Sequence, residues 1–364
     1  MANQITFIHK AELITSKGRN WDVTAGVQYM FINESLFHFH LLGCMTMIDS
    51  QNWLEKLPID SGCILNIYLT SNESDNSINL TFRVTGVSNI IRRDEHNKKY
   101  NIEFVSPEAV NNFNVRISKG YAGPSYAIVN NVMANLTSKP MLVSKTKDDA
   151  KLLAANMHPY DVIDLLELYG SKTCYDFLFW ENFRGLNFQR VSELLNRKVM
   201  HTLVEKDLQG ISEEEIMKNS NYQLDKTNIV KYYKDEKESL ISHMKAGELG
   251  NSTYTYNSLN GMPYRYDVND SNKENVIYHF NEDTLNYQNY GSRHKILNEL
   301  INNEMLIVAL GDIDRCTGDR CFVEINGRST DVEYTSELSG NFLITSIEHE
   351  FTTSSYKQTL GLSR

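Results

Sequence analysis

Two short motifs carry the residue types best suited to chemistry. His38 and His40 are two positions apart, so in a β-strand their imidazoles share one face, as two ligands of a metal ion would. No third ligand is visible nearby, and a pair of ordinary sheet histidines is the simpler interpretation. Glu348 and Glu350 flank a histidine without the i, i+4 spacing of a helical zinc motif. In a strand both carboxylates share a face, which favours a polar lining or an interface over acid–base catalysis.

The cysteines form neither a disulfide framework nor a metal motif. There are five of them, at Cys44, Cys63, Cys174, Cys316 and Cys321. An odd and scattered set is unlike a secreted disulfide scaffold, so the sequence indicates a reducing compartment. The last two flank a turn, and one pair cannot complete a zinc site, so we expect them to be free thiols on neighbouring strands.

Two further stretches each have a structural and a functional interpretation. Ser212 followed by three glutamates at 213–215 fits a helix N-cap with acidic residues at the positive end of the helix dipole, and acid–base catalysis is the alternative. The aromatic run at 179–182 fits a core strand, and a subunit contact is the alternative. Gly-rich phosphate loops, a GxSxG elbow and kinase signatures are absent from the sequence. We therefore predict no enzyme, no cofactor, and no catalytic, cofactor-binding or metal-binding residue.

Length and charge limit the possible classes of protein. A chain of 364 residues is long for one hydrophobic core, so two to four domains are expected. The formal net charge of −10 argues against tight nucleic-acid binding, but it does not prevent nucleic acid from passing nearby. No signal peptide begins the sequence, and no apolar run approaches the roughly 18–20 residues of a membrane span. We therefore expect a soluble protein made in the cytoplasm, without membrane contact.

Hydrophobic patterning divides the chain into β-rich ends and a mixed middle. Up to about residue 120, β-prone runs alternate with short polar turns at intervals of roughly ten residues, which is typical of a small barrel or sandwich. The longest of these runs covers residues 36–49. The last stretch, 339–364, has period-2 alternation on both sides of a polar turn at 352–355. This pattern predicts an antiparallel hairpin with one buried face that is paired into a sheet.

The middle of the chain predicts an α/β insert. Helical spacing indicates helices at 127–136 and 162–170, the second closed by Gly170 at its C′ position. The remaining predicted elements are, in order, a strand at 175–182, a turn at 182–185, a strand leading into a helix at 186–195, partly helical structure at 205–250, irregular strands and long loops at 251–290, and a helix at 294–306.

Together these elements predict a mainly β chain with an α/β insert, an α+β class. The predicted domains are a first β-unit at 1–120, the α/β insert at 121–205, a mixed and Tyr-rich region at 206–305, part of which can belong to the second β-unit, and that second β-unit at 306–364.

Four segments, taken in order, resemble the baseplate hub proteins of contractile-tailed bacteriophages, the T4-like tail hub family. They are INESLFHFHLLGCMTMIDSQNWLEKLPIDSGCILNIYL at 32–69, YNIEFVSPEAVNNFNVRISKGYAG at 100–123, DFLFWENFRGLNFQRVSELL at 176–195 and SGNFLITSIEHEFTTSSYKQTLGLSR at 339–364. The resemblance lies in order and texture, not in a short catalytic motif. It is weakest between about residues 205 and 290.

The resemblance implies a structural role in a virion, in the tail baseplate, after assembly in the host cytoplasm. It implies a homotrimeric hollow cylinder in which each subunit holds two similar β-barrel tube domains, so that three chains match the sixfold tail tube and seat a threefold central spike. Implied partners are the spike protein, the tail tube protein or a tube-initiator ring, baseplate wedge proteins and the tape-measure protein. DNA would pass through the lumen without specific binding. Related architecture occurs in type VI secretion spikes.

Two alternatives from other functional classes stay open. The content of Tyr, Trp and Asn is compatible with a carbohydrate-binding or receptor-binding tail module, which would expose an aromatic platform. A hydrolase that uses Glu348 and Glu350 is the third hypothesis.

Overall fold

The structure is a computed structural model. It describes residues 7–57, 59–70, 77–92, 97–146, 148–171, 174, 176–205, 227–234, 252–256, 263–267, 276–278, 305–325, 338–352 and 355–364, together with 293, 296, 297 and 300.

The chain is mainly β, as the sequence predicted. The strands are β1 (Ile8–Ile14), β2 (Asn20–Asp22), β3 (Val27–Ser35), β4 (Leu42–Asp49), β5 (Ile64–Thr70), β6 (Ser77–Arg92), β7 (Lys98–Val105), β8 (Ile117–Pro124), β9 (Met141–Val143), β10 (Asp149–Met157), β11 (Phe177–Asn182), β12 (Gly185–Arg190), β13 (His201–Val204), β14 (Ile229–Lys234), β15 (Ser252–Tyr256), β16 (Pro263–Asp267), β17 (Val276–Tyr278), β18 (Met305–Leu310), β19 (Arg320–Glu324), β20 (Gly340–Thr352) and β21 (Tyr356–Ser363). The helices are α1 (Trp53–Lys56), α2 (Pro107–Asn114), α3 (Ser125–Met133), α4 (Pro159–Tyr169) and α5 (Val191–Leu195), and Thr24–Gly26 form a 3₁₀ turn.

One large sheet, curled as a half-barrel, joins the two ends of the chain. Within the described residues its strands follow the order β14-β18-β21-β20-β3-β4-β7-β6-β5-β1-β2, and β19 pairs with β20 and with β13. β20 is the connecting strand, because its first half pairs with β19 and its second half pairs with β3. The N-terminal and C-terminal β-regions are therefore parts of the same hydrogen-bonded sheet.

The main sheet follows from period-2 alternation, which buries one face of each strand. In β4 and β5 every second residue is buried. The buried residues form two hydrophobic clusters: one comes mainly from β1 and β3–β7, and the other from β13, β14 and β18–β21. Ile347 belongs to the second cluster and Phe351 to the first. These two residues are four apart on β20, so both clusters lie on the same face of the sheet.

The predicted C-terminal hairpin is confirmed. β20 and β21 pair antiparallel, with Glu350 opposite Lys357 and Phe351 opposite Tyr356. Every second residue of β21 from Tyr356 onward is buried, as predicted, and the last residues of the strand are buried on both faces. Each fully buried Leu or Phe side chain stabilises the fold by about 1.5–3 kcal/mol. The buried side chains of this hairpin therefore contribute a substantial part of the stability of the second cluster.

The insert contains the predicted helices α3 and α4 and then β11, β12 and α5 in the predicted order, but β9 and β10, which lie between the two helices, were not predicted. β11 and β12 form an antiparallel hairpin, and β9 pairs with β12 in parallel. β8 and β10 form a separate two-stranded sheet. Helices α3 and α4 contact each other and both sheets, and their apolar faces form a third hydrophobic cluster.

The prediction that residues 36–49 form one long strand is wrong for its first half. β3 ends at Ser35 and β4 begins at Leu42, so residues 36–41 form the turn between them. Distant partners hold this turn: Leu36 N donates to Thr345 O, and Leu41 N donates to the Glu181 carboxylate. Consequently His38 and His40 do not share a strand face.

Two other predictions need adjustment. Gly170 is the C-cap of α4 and has right-handed backbone angles, so it is not the left-handed C′ residue we expected. Glycine is needed at this position for a steric reason, because a Cβ there would meet Leu166 O and Ser125 Oγ. The helix predicted at 294–306 is too long, because Met305 already begins β18. Of its other residues, 296, 297 and 300 are helical and the rest lie outside the described residues, as does most of 206–305.

Candidate functional site

The face of the main sheet that lies opposite the two clusters is lined with polar side chains; we call it the polar face. On β3, β4, β7, β20 and β21 it carries Tyr29, Phe31, Asn33, Cys44, Thr46, Asn101, Glu103, Ser346, Glu348, Glu350, Lys357 and Thr359. Most of these side chains are half-buried. The polar face therefore crosses both β-regions without interruption.

The two glutamates predicted to share a face do so, at the centre of the polar face. Tyr29 donates its hydroxyl to Glu350 Oε2 at 3.0 Å, and Lys357 Nζ lies 3.0 Å from Glu350 Oε1. Burial raises the pKa of Glu348, and the neighbouring Glu350 carboxylate raises it further. Burial and the same carboxylate raise the pKa of the Tyr29 hydroxyl. The pair is thus held by neighbours on the surface of a sheet, as a polar lining would be.

The histidine between these glutamates points the other way, into a buried polar network. His349 Nδ1 lies 2.8 Å from the Tyr356 hydroxyl, and the His349 ring stacks on Phe183 with centroids 4.1 Å apart. Its Nε2 lies 3.4 Å from Glu34 Oε1. Glu34 accepts hydrogen bonds from Phe183 N and Thr317 N, both at 2.9 Å. One buried carboxylate therefore joins β3, the β11–β12 hairpin and the turn before β19.

Arg315 and Gln358 extend this network. Arg315 Nη1 donates to Gln358 Oε1 at 2.6 Å, and Gln358 Nε2 donates to Asp312 O at 2.8 Å. Both side chains are buried almost completely. Burial lowers the pKa of Arg315. The network fixes the segment before β19 against the C-terminal hairpin.

A second charged group lies beside this network, on the turn that contains Asp319. Arg184 donates through both terminal nitrogens to the Asp319 carboxylate, each at 2.7 Å, and His201 Nε2 lies 3.0 Å from the same carboxylate. Burial alone would raise the pKa of Asp319, but His201 and Arg184 hold it below its ordinary value. The Asp319 carboxylate is therefore kept ionised and pairs the insert hairpin with the C-terminal β-region.

The two cysteines of this turn are free thiols, as predicted. Cys321 lies in β19 and Cys316 lies in the turn before it, so only one of them is in a strand. Burial raises the pKa of Cys321 to about 12 and raises that of Cys316 well above its ordinary value. Both thiols are protonated at neutral pH.

A third polar group joins α2 to the insert. Lys139 Nζ lies 2.7 Å from Glu108 Oε2 and 2.6 Å from Glu181 Oε1, and both carboxylates are buried. Burial raises the pKa of Glu181, with Lys139 acting in the opposite direction. Near this group, His40 stacks on Tyr160 with centroids 6.3 Å apart. Burial lowers the pKa of His40, and the charge of His38 lowers it further.

None of these groups has the donor set of a metal site: within the described part of the chain, no cluster of three or more His, Cys, Asp or Glu side chains could hold an ion. The aromatic run at 179–182 is core, as its first interpretation held, because every residue of β11 is buried. Ser212 and the glutamates at 213–215 lie outside the described residues. No described helix is long and apolar enough to cross a membrane.

One residue of the buried network could have been predicted from the sequence, and the others could not. Glu34 is in register with the core residues Met30 and Ile32, so period-2 alternation on β3 already puts it on the buried face. The partners of Arg184 and Lys139 are far away in sequence, and no local pattern indicates them.

Comparison with known proteins gives similarity of fold only. No protein-family model matches the chain, and no curated protein sequence matches it. The fold is similar to that of the 43 kDa tail protein of prophage MuSo2 from Shewanella oneidensis, with a TM-score of 0.60, 11% identity and coverage of 98% of each chain.

Two more solved structures have the same arrangement over nearly their whole length. A tail protein from Neisseria meningitidis MC58 matches with a TM-score of 0.60 and 9% identity, over 98% of this chain and 96% of that one. Prophage tail protein gp18 from Listeria monocytogenes EGD-e matches with a TM-score of 0.51 and 10% identity, over 96% and 94%. The chain therefore shares its fold, over 96–98% of its length, with three proteins that are described as tail proteins, two of them from prophages.

Proposed function

We propose that this chain is a structural component of a phage-type tail, a baseplate hub that adapts the sixfold tail tube to a threefold central spike. The observation that carries the proposal is the main sheet, which runs through both ends of the chain in a fold shared with three tail proteins over 96–98% of this chain. If the chain were a small enzyme domain attached to a carrier domain, it would match such proteins over only part of the length of the chain.

Each subunit supplies two tube domains in this proposal. Two hydrophobic clusters on one face of a continuous sheet support it, because each cluster is a core of its own. The first tube domain corresponds to residues 1–120 and the second is completed by 306–364. Three such chains would present six similar units to the tube and three identical surfaces to the spike.

The ring closes, in our proposal, through the open edge of the sheet at β2. Within the described residues the strand order ends at β14 on one side and at β2 on the other. Asn228, next to β14, already bridges Val204 of β13, whereas β2 pairs with β1 alone among the described strands. Unpaired edges are templates for pairing with another chain unless they are covered. A neighbouring copy would cover this edge, which supports a homotrimer.

The polar face lines the lumen in this arrangement. Its charged residues are Glu103, Glu348, Glu350 and Lys357, of which Glu350 pairs with Lys357, so the net charge of the face is negative. Clustered cations on a protein bind DNA because they release its counterions. A wall without a cationic stripe therefore lets DNA and a tape-measure protein slide past. The hub would contact the spike, the tail tube or its initiator ring and the wedge proteins, and it would not act as an enzyme.

The test is the mass and shape of the full-length protein, alone and with its spike. We expect native mass spectrometry to give three times the mass of the chain, and electron microscopy to give a threefold ring with a central hole. A protein that stays a monomer after addition of its spike would overturn the proposal.

A further inference from the structure

A cavity of about 250 Å³ opens where the insert meets the turn before β19. Five of the residues that line it are used below: Leu142, Arg184, Gly185, Arg197 and Asp319. Gly185 has a φ of +128°, and a Cβ at this position would lie 2.5 Å from Pro140 O, so only glycine keeps this wall of the cavity close to β9. The cavity is thus formed by backbone as well as by side chains.

Arg197 brings a positive charge to the cavity, and no carboxylate among the described residues forms a hydrogen bond with it. It donates to the amide oxygen of Gln189, and through Nη1 to Gly318 O at 3.4 Å. Asp319 is already engaged by both terminal nitrogens of Arg184. Burial lowers the pKa of Arg197, and the Asp319 and Glu193 carboxylates act in the opposite direction.

The lining of the cavity includes an exposed apolar side chain on an open strand edge. Leu142, which lines the cavity, is 56% exposed. Leu142 lies in β9, the outer strand of the three-stranded insert sheet as far as the chain is described. Pro140 O and Ser144 N are bonded towards β12. Alternation then directs the backbone groups of Met141 and Val143 to the outer edge.

We propose that this cavity and the β9 edge together bind an extended acidic segment of a partner protein. The segment adds as a strand to β9 through the backbone of Val143, it places an Asp or Glu side chain against Arg197, and its apolar residues cover Leu142. Strand addition provides affinity from main-chain hydrogen bonds, and the pocket provides selectivity for a side chain.

Charge complementarity selects this occupant. The charged residues that line the cavity are Arg184, Arg197 and Asp319, so the lining has a net positive charge. The whole chain has a net charge of −10, so this locally positive surface is set apart from the rest. The charge of the cavity therefore favours a segment with an Asp or Glu side chain. The inference does not depend on the proposed ring.

The test uses the full-length protein and an array of acetylated, amide-capped nonapeptides. Each peptide alternates apolar residues with variable ones, and each acidic peptide has a partner with Asn or Gln in place of Asp or Glu. We expect the wild type to prefer Asp or Glu at one position by about tenfold or more over the amide, because hydrogen bonds to charged groups are worth roughly 1.5–3 kcal/mol. Equal binding to acidic and amide peptides, or no binding to either set, overturns the proposal.

Matched variants separate the pocket from the edge. Arg197→Gln should abolish the acidic preference, Arg197→Lys should retain part of it, and Lys198→Gln should leave it unchanged. Val143→Pro removes an outward N–H and should weaken all peptides about tenfold. Val143→Ala retains that N–H and should bind like wild type. Thermal melting of every variant shows whether it is folded.

Two results contradict specific parts of the inference. If Arg197→Gln binds acidic peptides as wild type does, the carboxylate pocket is wrong. If the mass of the assembly falls in Arg197→Gln while peptide binding shows no acidic preference, the surface contacts another copy of this chain, and the inference fails even though the proposed ring stands.

Discussion

Glu34 is the residue on which the packing of three distant segments depends. Its side chain is 1% exposed and accepts backbone hydrogen bonds from Phe183 and Thr317. A buried carboxylate is tolerated only when its oxygens have donors. Here the donors come from the insert hairpin and from the turn before β19, so the charge is satisfied only in the assembled fold.

Replacing Glu34 should therefore be costly. Glu34→Ala leaves two buried N–H groups without an acceptor, and we expect the free energy of unfolding to fall by about 3 kcal/mol. Glu34→Gln keeps one acceptor oxygen and should lose less. Glu348→Ala, on the polar face of the neighbouring strand, is the control and should change stability by less than about 0.5 kcal/mol. Urea unfolding followed by circular dichroism measures all three. Equal stability of Glu34→Ala and Glu348→Ala would contradict the role of the network.

Asp319 makes the stability of the protein depend on pH. The pKa of an aspartate in the unfolded chain is about 3.9, whereas the pKa of folded Asp319 is lower. In that window the unfolded state binds more protons, so the contribution of Asp319 is complete above about pH 5 and is lost as the pH falls through the folded pKa.

Asp319→Asn should flatten this dependence. We expect its free energy of unfolding to be about 2 kcal/mol lower than that of wild type at pH 7, because charge-assisted hydrogen bonds are lost. The difference should shrink as the pH falls towards about 3. Asp314→Asn, at an exposed neighbouring position, should run parallel to wild type. Urea titrations at several pH values give the curves, and a constant gap between Asp319→Asn and wild type would contradict the linkage.

Turns, at the scale of elements, are fixed by distant contacts more than by their own sequence. Gly318 has a φ of +87°, and a Cβ at this position would lie 2.8 Å from the Trp180 ring. Its N–H donates to Ile344 O at 2.9 Å, so the turn before β19 is attached to β20. The buried Trp180 indole of the insert therefore restricts which residue fits at this turn position of the C-terminal region.

Gly318→Ala combines left-handed strain with a steric clash. We expect a loss of about 2–3 kcal/mol in the free energy of unfolding, since left-handed angles alone cost an L-residue about 1–2 kcal/mol. Gly120→Ala is the matched control, because nothing lies within 4 Å of a Cβ there. It should be neutral or slightly stabilising. Thermal unfolding of the two variants checks the difference, and a Gly318→Ala protein that melts with Gly120→Ala would refute the packing argument.

The sequence predicted those elements whose pattern is local. The hairpin of β20 and β21 follows from periodicity of 2 residues, and helices α3 and α4 follow from helical spacing. The turn at 36–41 was not predicted, because Thr345 and Glu181, which hold it, are far away in the chain. The ion pair between Arg184 and Asp319 was not predicted for the same reason. Charged residues are most often exposed, so composition argued against burying them.

The whole molecule presents a curled sheet with one apolar and one polar face. Both hydrophobic clusters lie on one side, so the polar face is free along both β-regions. At the β2 end, Val23 N donates to Ala11 O and Thr15 N donates to Arg19 O. Alternation in an antiparallel pair then directs the backbone of Asn20 away from β1, towards the open edge.

This edge gives a test of ring closure that spares the fold of the subunit. Asn20→Pro removes an outward N–H from an exposed position at the edge, where proline is tolerated because no ladder hydrogen bond of the subunit is lost. We expect the variant to melt within about 2 °C of wild type, as surface changes of this size do, yet to lose the trimer mass and the ring image. Asn20→Ala keeps the N–H and should assemble normally. If Asn20→Pro still forms trimeric rings, β2 is not the edge through which neighbouring copies pair. If the variant fails to fold, the Asn20 N–H is needed within the subunit. The comparison of native mass with melting temperature separates these outcomes, because assembly and folding are measured on the same sample.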